Sequence, residues 1–409
     1  MVSLLVLGLV LIGCGGTTGE QQEEEEEQEE EEELPIPLKI GALQSLDWVV
    51  GLDGYRAMQI GAAQFNGEDG LDIGGTKYEI ELILYDHHLD FTNARTGAES
   101  LIEDGCNYIL GEVFMSAAMD LTNDAGVVMI GSTYDASNLN PDYEWHWSGA
   151  AGSTVFPAAV PILAGFTASG GPEDRTYQGV FPDRIDGHLA AAQHENAAES
   201  ADLIVLESIF YDYTATDLSS VGTLIESRDP DILDSYGGDP ALDAGILAAA
   251  YDAGWTGQIF FCSTAPAFLM TMMAGAPAVE GSLGIGWPTE FGTTAMANEF
   301  IADWTAEYGE WTFPEIVVAQ ELWILVTAMQ KAGSIEPEDI KAVLDNGMTF
   351  ESPCGPGQMI ARPDVGNSRT VDCIMWDLPI KQISDGAPAV VGTISETMMK
   401  DVVAAMYGS

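Results

Sequence analysis

Leu38-Lys39-Ile40-Gly41-Ala42-Leu43 opens the part of the chain that decides the fold. It is an apolar run of strand length, and Pro35 and Pro37 just before it exclude helix and favour an extended approach. Residues 54–66 then carry a helix pattern, and residues 78–85 alternate in the strand manner with Ile80, Leu82 and Leu84 on one face. Residues 90–104 read as a helix, because Ala94, Ala98, Leu101 and Ile102 fall at the spacing i, i+4, i+7, i+8. Residues 108–110 and 127–130 are short buried strands with a helix over 117–124 between them. A second series starts near Ser153: helix 155–168, strand 177–181, helix 187–200, strand 203–210, helix 218–227, strand 232–236, helix 240–253 and strand 258–262. Strands alternating with helices of this length imply parallel sheets covered on both faces. Two such series predict an α/β protein of two doubly wound, parallel-sheet lobes. After Gly286 the chain turns helical over 295–308, 317–331 and 337–346, with Ala297, Phe300, Ile301, Trp304 and Tyr308 on one stripe. From Phe350 it returns to strands and ends in a helix over 395–407. In open parallel sheets ligands bind beyond the carboxyl ends of the strands. In a two-lobed protein those ends face one another across a cleft, which a hinge motion closes on a small molecule.

Upstream, an apolar run over residues 2–12 ends in Leu11-Ile12-Gly13-Cys14 and is followed by a tract over 20–33 of eleven Glu and three Gln. The run is too short to span a bilayer comfortably and suits the core of a secretory signal. Its ending resembles the lipobox of prokaryotic lipoproteins, although neither Lys nor Arg precedes it; an ordinary signal is the alternative. On the lipobox reading Cys14 becomes the lipidated first residue, residues 1–14 are a signal peptide, and residues 15–37 are an acidic disordered tether. The expected location is then extracytoplasmic, on the membrane surface, held by lipid alone.

The chain has 409 residues, enough for two substantial cores, and is 46% hydrophobic, so its body is globular. Thirteen basic residues stand against 65 acidic ones, a net charge of −52. Without the eleven Glu of the tract the charge is still −41, so the acidity is global. Such a field repels nucleic acid and anionic headgroups and excludes nucleic-acid binding. It fits either a cationic partner or a surface suited to high salt, where screening relieves self-repulsion. Scarce Lys and evenly spread acids favour the halophilic reading. Of five Cys, Cys106 and Cys262 sit in apolar, strand-adjacent contexts and read as buried thiols. Cys354 and Cys373 flank a hairpin-like loop and are expected to form a disulfide, contributing roughly 3 kcal/mol. No spacing resembles a zinc site.

The first lobe also resembles a known family. The residues that carry the likeness start with the run from Leu38 to Leu43 and go on through Gly54, Ala57, Gly61, Ala62 and Asn66, then Gly70-Leu71-Asp72-Ile73-Gly74-Gly75 and Tyr85-Asp86. They continue at Asp90, Ala94, Ala98, Leu101-Ile102 and Gly105, then Tyr108-Ile109-Leu110-Gly111 and Gly126-Val127-Val128-Met129-Ile130. The tail adds Gly355-Pro356-Gly357, Arg362-Pro363-Asp364 and Ile383-Ser384-Asp385-Gly386. The pattern resembles a type I periplasmic binding protein of the leucine/isoleucine/valine-binding kind, a solute receptor of ABC uptake systems. The resemblance implies three crossovers, near 149–153, 280–286 and 350–357. The lobes would be residues 38–151 plus 284–350 and residues 152–283 plus 351–409.

The resemblance further implies a ligand carboxylate gripped by backbone N–H groups and a Ser hydroxyl after the third strand. The matching segment is Gly111-Glu112-Val113-Phe114-Met115-Ser116, which makes Phe114, Met115 and Ser116 candidates. Ser116 also suits a plain helix cap. After the fourth strand Gly131-Ser132-Thr133-Tyr134-Asp135 lines the family's cleft, with Tyr134 stacking on a ligand and Thr133 or Asp135 meeting an ammonium. In the second lobe the chain departs from the family. Asp186 stands at a Tyr position, Asp239 near another, and Phe261-Cys262-Ser263-Thr264-Ala265 carries no acid. Thr264 is the candidate in that loop. Either Asp186 or Asp239 replaces the missing carboxylate, or the ligand is not an amino acid; amide, urea, small carboxylate and cationic compounds stay open. Trp48 is an aromatic wall or a core residue.

Asp86-His87-His88-Leu89-Asp90 is weighed as a metal site and set aside, since successive side chains of a strand face opposite ways. His188 and His194 read as surface residues on different helix faces. No nucleophile elbow and no P-loop is present, so neither an enzyme nor a cofactor is expected. The expected function is delivery of a branched-chain amino acid, or a related amide or small carboxylate, to an ABC permease by closure of the lobes. The alternative is a ligand sensor docking on a membrane kinase or chemoreceptor.

Overall fold

The computed structural model describes residues 34–408 apart from 134, 150–152, 168–173, 236–239, 263–270, 272 and 315. Cys14 and the acidic tract therefore lie outside the described residues. The first sheet is built from β1 (Ile36–Gln44), β2 (Leu71–Ile73), β3 (Thr76–Asp86), β4 (Tyr108–Gly111), β5 (Val128–Gly131) and β6 (His146–Ser148), in the order β2-β3-β1-β4-β5-β6. β1 runs parallel to β3 and β4, and only β2 is antiparallel, on β3. Helices α1 (Val49–Asn66), α2 (Phe91–Glu103) and α3 (Met119–Ala125) connect these strands. Asp90 caps α2 by accepting from Asn93 N at 2.8 Å, and the expected apolar stripe of Ala94, Ala98 and Leu101 is buried. Gly97 lets α2 lie close on the sheet: a Cβ there would stand 2.3 Å from Tyr85 Cδ1.

The second sheet takes α4 (Val155–Thr167), β7 (Thr176–Pro182), α5 (Ile185–Ser200), β8 (Ile204–Val205), β9 (Ile209–Tyr211), α6 (Ser219–Arg228), β10 (Ile232–Ser235), α7 (Pro240–Ala253) and β11 (Gln258–Phe261). The short helix α8 (Ala276–Val279) leads to β12 (Leu283–Ile285), which pairs with β11, so the second sheet runs into the expected crossover at 280–286. The expected single strand over 203–210 is broken into β8 and β9, both pairing with β7. At the break Glu207 O accepts from the side chains of Gln178 (2.6 Å) and Arg228 (2.6 Å) instead of joining the ladder.

Next come α9 (Pro288–Phe291), α10 (Ala295–Tyr308), α11 (Gln320–Ala332) and α12 (Pro337–Asp345). α10 and α11 pack on the first lobe, where Gly61 of α1 admits the Trp323 ring; a Cβ there would stand 2.6 Å from it. β13 (Thr349–Ser352), β14 (Gly355–Arg362) and β15 (Asn367–Met375) form a separate antiparallel sheet of three strands. The expected third crossover, near 350–357, falls within β13 and the start of β14. β16 (Leu378–Ser384) and β17 (Ala387–Ile394) then add antiparallel strands to the second sheet, and α13 (Glu396–Tyr407) closes the chain. The large sheets are thus mixed at their edges rather than wholly parallel.

The small sheet is pinned on both sides. Towards the first lobe Asn367 donates to Leu139 O (2.7 Å), and Arg369 donates to Tyr143 O (2.9 Å) and Asp345 (2.8 Å). Towards the second, Asp372 Oδ2 accepts from Ser153 Oγ (2.7 Å) and Thr154 Oγ1, and within the sheet it also accepts from Arg362 Nη1 (2.7 Å). Arg362 is almost wholly buried, lies over the Tyr407 ring and is also paired with Asp364.

The expected Cys354–Cys373 disulfide is not formed. β15 pairs Cys373 with Met359, five residues beyond Cys354 along the chain. At about 3.3 Å per strand residue that separation is far outside the reach of a disulfide. The Cys373 thiol instead donates to Gly149 O at 3.3 Å. His194 is also corrected: it is buried, with Nδ1 2.7 Å from Asp234 Oδ2, because its face of α5 lies on the sheet. His188 is exposed, as expected, and stacks on Phe210.

Candidate functional site

The carboxyl ends of β1, β3, β4 and β5 carry loops that converge on one side of a cavity of about 540 Å³. After β1 comes Trp48; after β3 come Leu89 and Phe91; after β4 come Phe114 and Ser116; after β5 come Thr133, Asp135 and Asn138. The turn after β7 and the start of α5 supply the opposite wall, with Arg184 from the turn and Ile185, Asp186 and Leu189 from α5, and the loop after β9 adds Tyr213. The cavity thus lies beyond the strand ends of both sheets, where parallel sheets present ligand sites.

Six of the residues singled out from sequence line this cavity: Trp48, Phe114, Ser116, Thr133, Asp135 and Asp186. Met115 does not. It is buried in the first-lobe core with its sulfur against Gly111 and Gly131, where an added Cβ would come within 2.9 and 2.3 Å of it. The turn over Val113–Ala118 is a 3-10 helix that runs into α3, so neighbouring side chains point about 120° apart and Met115 faces the core while Phe114 and Ser116 face the cavity. Tyr134, Asp239 and Thr264 lie outside the described residues.

The first-lobe wall is mainly aromatic. The Phe114 ring sits 4.7 Å from Phe91 and 5.0 Å from His87. Behind it, buried His87 Nε2 lies 2.8 Å from Glu112 Oε1, which also accepts from Ser45 N at 3.0 Å. Burial raises the Glu112 pKa above the ordinary value; His87 and Ser45 N oppose the rise, and the charge of Asp186 across the cleft adds to it. Glu321, fully buried beneath β4, accepts from Gly111 N at 2.9 Å and is raised further, by burial first and by the nearby Glu112.

Polar groups at the rim are largely engaged with one another. Thr133 Oγ1 accepts from Asp135 N (3.2 Å) and Asn138 Nδ2 (3.4 Å), and donates to Asp135 O (3.2 Å). Asp135 Oδ1 accepts from Ser137 N (2.9 Å) and Ser137 Oγ (2.6 Å). In the second lobe Asp186 is held in a two-pronged pair by Arg184, Nε to Oδ1 at 3.1 Å and Nη2 to Oδ2 at 2.6 Å. The Arg184 guanidinium lies over the Tyr213 ring, 4.8 Å from its centre.

Leu89, Phe91, Arg184 and Tyr213 were not singled out from sequence. An Arg two residues before the chosen Asp186, in a chain with thirteen basic residues, was the available signal for Arg184. Leu89 has no such signal; it reaches the cleft because His88 and Leu89 both adopt positive φ, 52° and 56°. β3 ends at Asp86, so His87 and His88 lie in the turn beyond it, one buried and one exposed. His88 Nδ1 lies 2.8 Å from Asp47 and 3.4 Å from Asp86, and these three gather closely enough to hold a metal ion. The Asp47 hydrogen bond and the Asp86 charge raise the His88 pKa, so the trio is also satisfied as an ion-paired histidine.

A family model described as periplasmic binding protein matches residues 37–377. A leucine-binding protein of Thermotoga maritima is similar in structure, with TM-score 0.67 and 17% identity over 88% of this chain and 99% of that one. An ABC transporter substrate-binding protein of Sphaerobacter thermophilus gives TM-score 0.70 and 18% identity over 88% and 98%. A solute-binding protein of an ABC transporter from Rhodopseudomonas palustris, in complex with 3,4-dihydroxybenzoic acid, gives 0.66 and 18% over 88% and 95%. No curated relative matches the chain.

Proposed function

The chain belongs to the periplasmic binding protein family and has its two-lobed type I fold, and on that premise we propose that it captures a small solute between its lobes and delivers it to an ABC permease. A solute-binding protein of this family works outside the cytoplasm, and no helix of the described residues is long and apolar enough to cross a membrane. The reading rests on the cavity at the strand ends of both sheets, lined from both lobes. A site shared between two lobes stabilises their closure, because the bound solute adds contacts that the open form lacks. The small sheet β13–β15, pinned to both sides, is the proposed hinge.

The anchoring proposal is that Cys14 carries lipid and residues 15–37 form the tether. A short leash raises the effective concentration of the receptor at its permease. The charge of −52 is read as an adaptation of the surface to salt. The ligand reading covers branched-chain amino acids, related amides and small carboxylates; the similar proteins named above are described with leucine and with 3,4-dihydroxybenzoic acid, which share a carboxyl group. Trp48, Phe114, Ser116, Thr133, Asp135 and Asp186 are the proposed first-choice lining. Calorimetric titration of the purified protein with such a panel tests the reading, with small-angle scattering to follow closure. Saturable binding with a smaller radius of gyration is expected; no heat from any solute would refute it. For the anchor, radiolabelled fatty acid should enter the wild-type chain and not Cys14→Ser.

A further inference from the structure

Arg184 reverses the expected polarity of the second-lobe wall. On sequence the wall offers an acid, Asp186, to a ligand ammonium. In the structure both Asp186 oxygens are taken by Arg184 Nε and Nη2. The guanidinium has five N–H donors, and its remaining nitrogen, Nη1, has no acceptor among the described residues. The group is partly exposed, lines the cavity and is held flat by the Asp186 fork on one edge and the Tyr213 ring on its face. A planar donor fixed in this way is suited to a carboxylate, since little side-chain freedom is left to lose on binding. On the opposite wall Thr133 Oγ1 and Asp135 Oδ1 are engaged within their own loop. Ser116 and Asn138 add two uncharged polar groups, and most of the remaining lining is the apolar surface of Trp48, Leu89, Phe91, Phe114, Ile185 and Leu189.

Resting on the solute-receptor reading, we propose that the ligand is an organic carboxylate with a bulky apolar or aromatic body and no ammonium group, and that Arg184 meets its carboxylate. Asp186 is then a positioning residue for Arg184 rather than a ligand contact. The net charge of −52 does not decide the sign of the ligand. That field is screened within about 8 Å at physiological ionic strength and over less in stronger salt, whereas Arg184 acts at contact. The same argument makes the salt response diagnostic. Screening relieves repulsion of an anion, so affinity for a carboxylate holds or rises with salt, and affinity for an amine falls.

Two matched series test this by calorimetry on the full chain: 3-phenylpropionate, phenylalanine and phenethylamine, then 4-methylpentanoate, leucine and isopentylamine. Each series keeps the body and changes only the charged groups. The expected result is that a carboxylate without the amino group binds at least about tenfold tighter than its amino acid, and that the amine does not bind. Arg184→Gln should weaken the carboxylate by about tenfold or more, Arg184→Lys by less, and Asp186→Asn by an intermediate factor, all with unchanged melting. Tighter binding of the amino acids or amines than of the carboxylates overturns the inference and leaves the receptor reading standing. So does an Arg184→Gln affinity within about twofold of wild type. If neither these compounds nor a wider panel of amides and sugars gives heat, the receptor reading fails and the inference with it.

Discussion

Asp372→Ala tests whether the small sheet β13–β15 is held to the second lobe by the buried charge network. In the wild type Asp372 Oδ2 accepts from Ser153 Oγ and Arg362 Nη1, each at 2.7 Å, and from Thr154 Oγ1, while Oδ1 accepts from Cys373 N at 2.8 Å. The substitution strips partners from all four donors at a fully buried position. Breaking a buried ion pair by removing one partner costs about 3–5 kcal/mol, because the other charge is left desolvated. Here Arg362 keeps its fork to Asp364 at 2.9 and 2.8 Å, so the lower end, about 3 kcal/mol, is expected. Urea unfolding followed by tryptophan fluorescence reads this as a lower midpoint at an unchanged m-value. The double variant Arg362→Met/Asp372→Leu should recover most of the loss, since an apolar pair of similar volume removes both desolvated charges. A single variant within about 1 kcal/mol of wild type, or a double variant less stable than the single, would refute the reasoning.

Three further outcomes follow from other parts of the fold. Burial raises the Glu321 pKa, so its carboxyl stays protonated in the folded protein above the pH at which it ionises in the unfolded chain. Its contribution is complete in acid and is lost as pH rises towards the folded pKa; Glu321→Gln should therefore be neutral near pH 4 and increasingly stabilising by pH 8, and an opposite slope in the melting temperature would count against it. Gly97→Ala places a Cβ 2.3 Å from Tyr85 and 2.7 Å from Leu43, so overpacking should cost about 1–3 kcal/mol in the same urea assay, and an unchanged midpoint would contradict the packing. A reductant should leave the melting temperature unchanged, because Cys354 and Cys373 are not joined; a bridge would contribute roughly 3 kcal/mol, so a drop of several degrees would show it present.

The sites read from sequence fared according to how local their causes are. Phe114, Ser116, Thr133 and Asp135 line the cavity because they follow the carboxyl ends of parallel strands, in the two segments that the family resemblance pointed to. Met115 lies in the same stretch and turns to the core, because the 3-10 turn there sets a phase that spacing does not reveal. Helix spacing alone puts His194 on the surface, yet it meets Asp234 forty residues away across the sheet. The broken strand at 203–210 depends on Gln178 and Arg228, neither of them close to it in sequence.

Alternation of strand and helix, with apolar residues at periods of two and of three to four, was sufficient by itself to determine the α/β class, the two lobes and the end of the sheets where the cavity lies. Those features come from backbone geometry and burial, which repeat along the chain and are legible in one dimension. Tertiary structure alone decided which polar groups are taken and which remain for a ligand. Asp186 looks like an acid offered to a cation until Arg184 is seen to hold both its oxygens; Cys354 and Cys373 look like a pair until the register of β14 and β15 sets them apart. A side chain's charge is written in the sequence, but its partner is chosen by distances of a few ångströms between segments that only folding brings together.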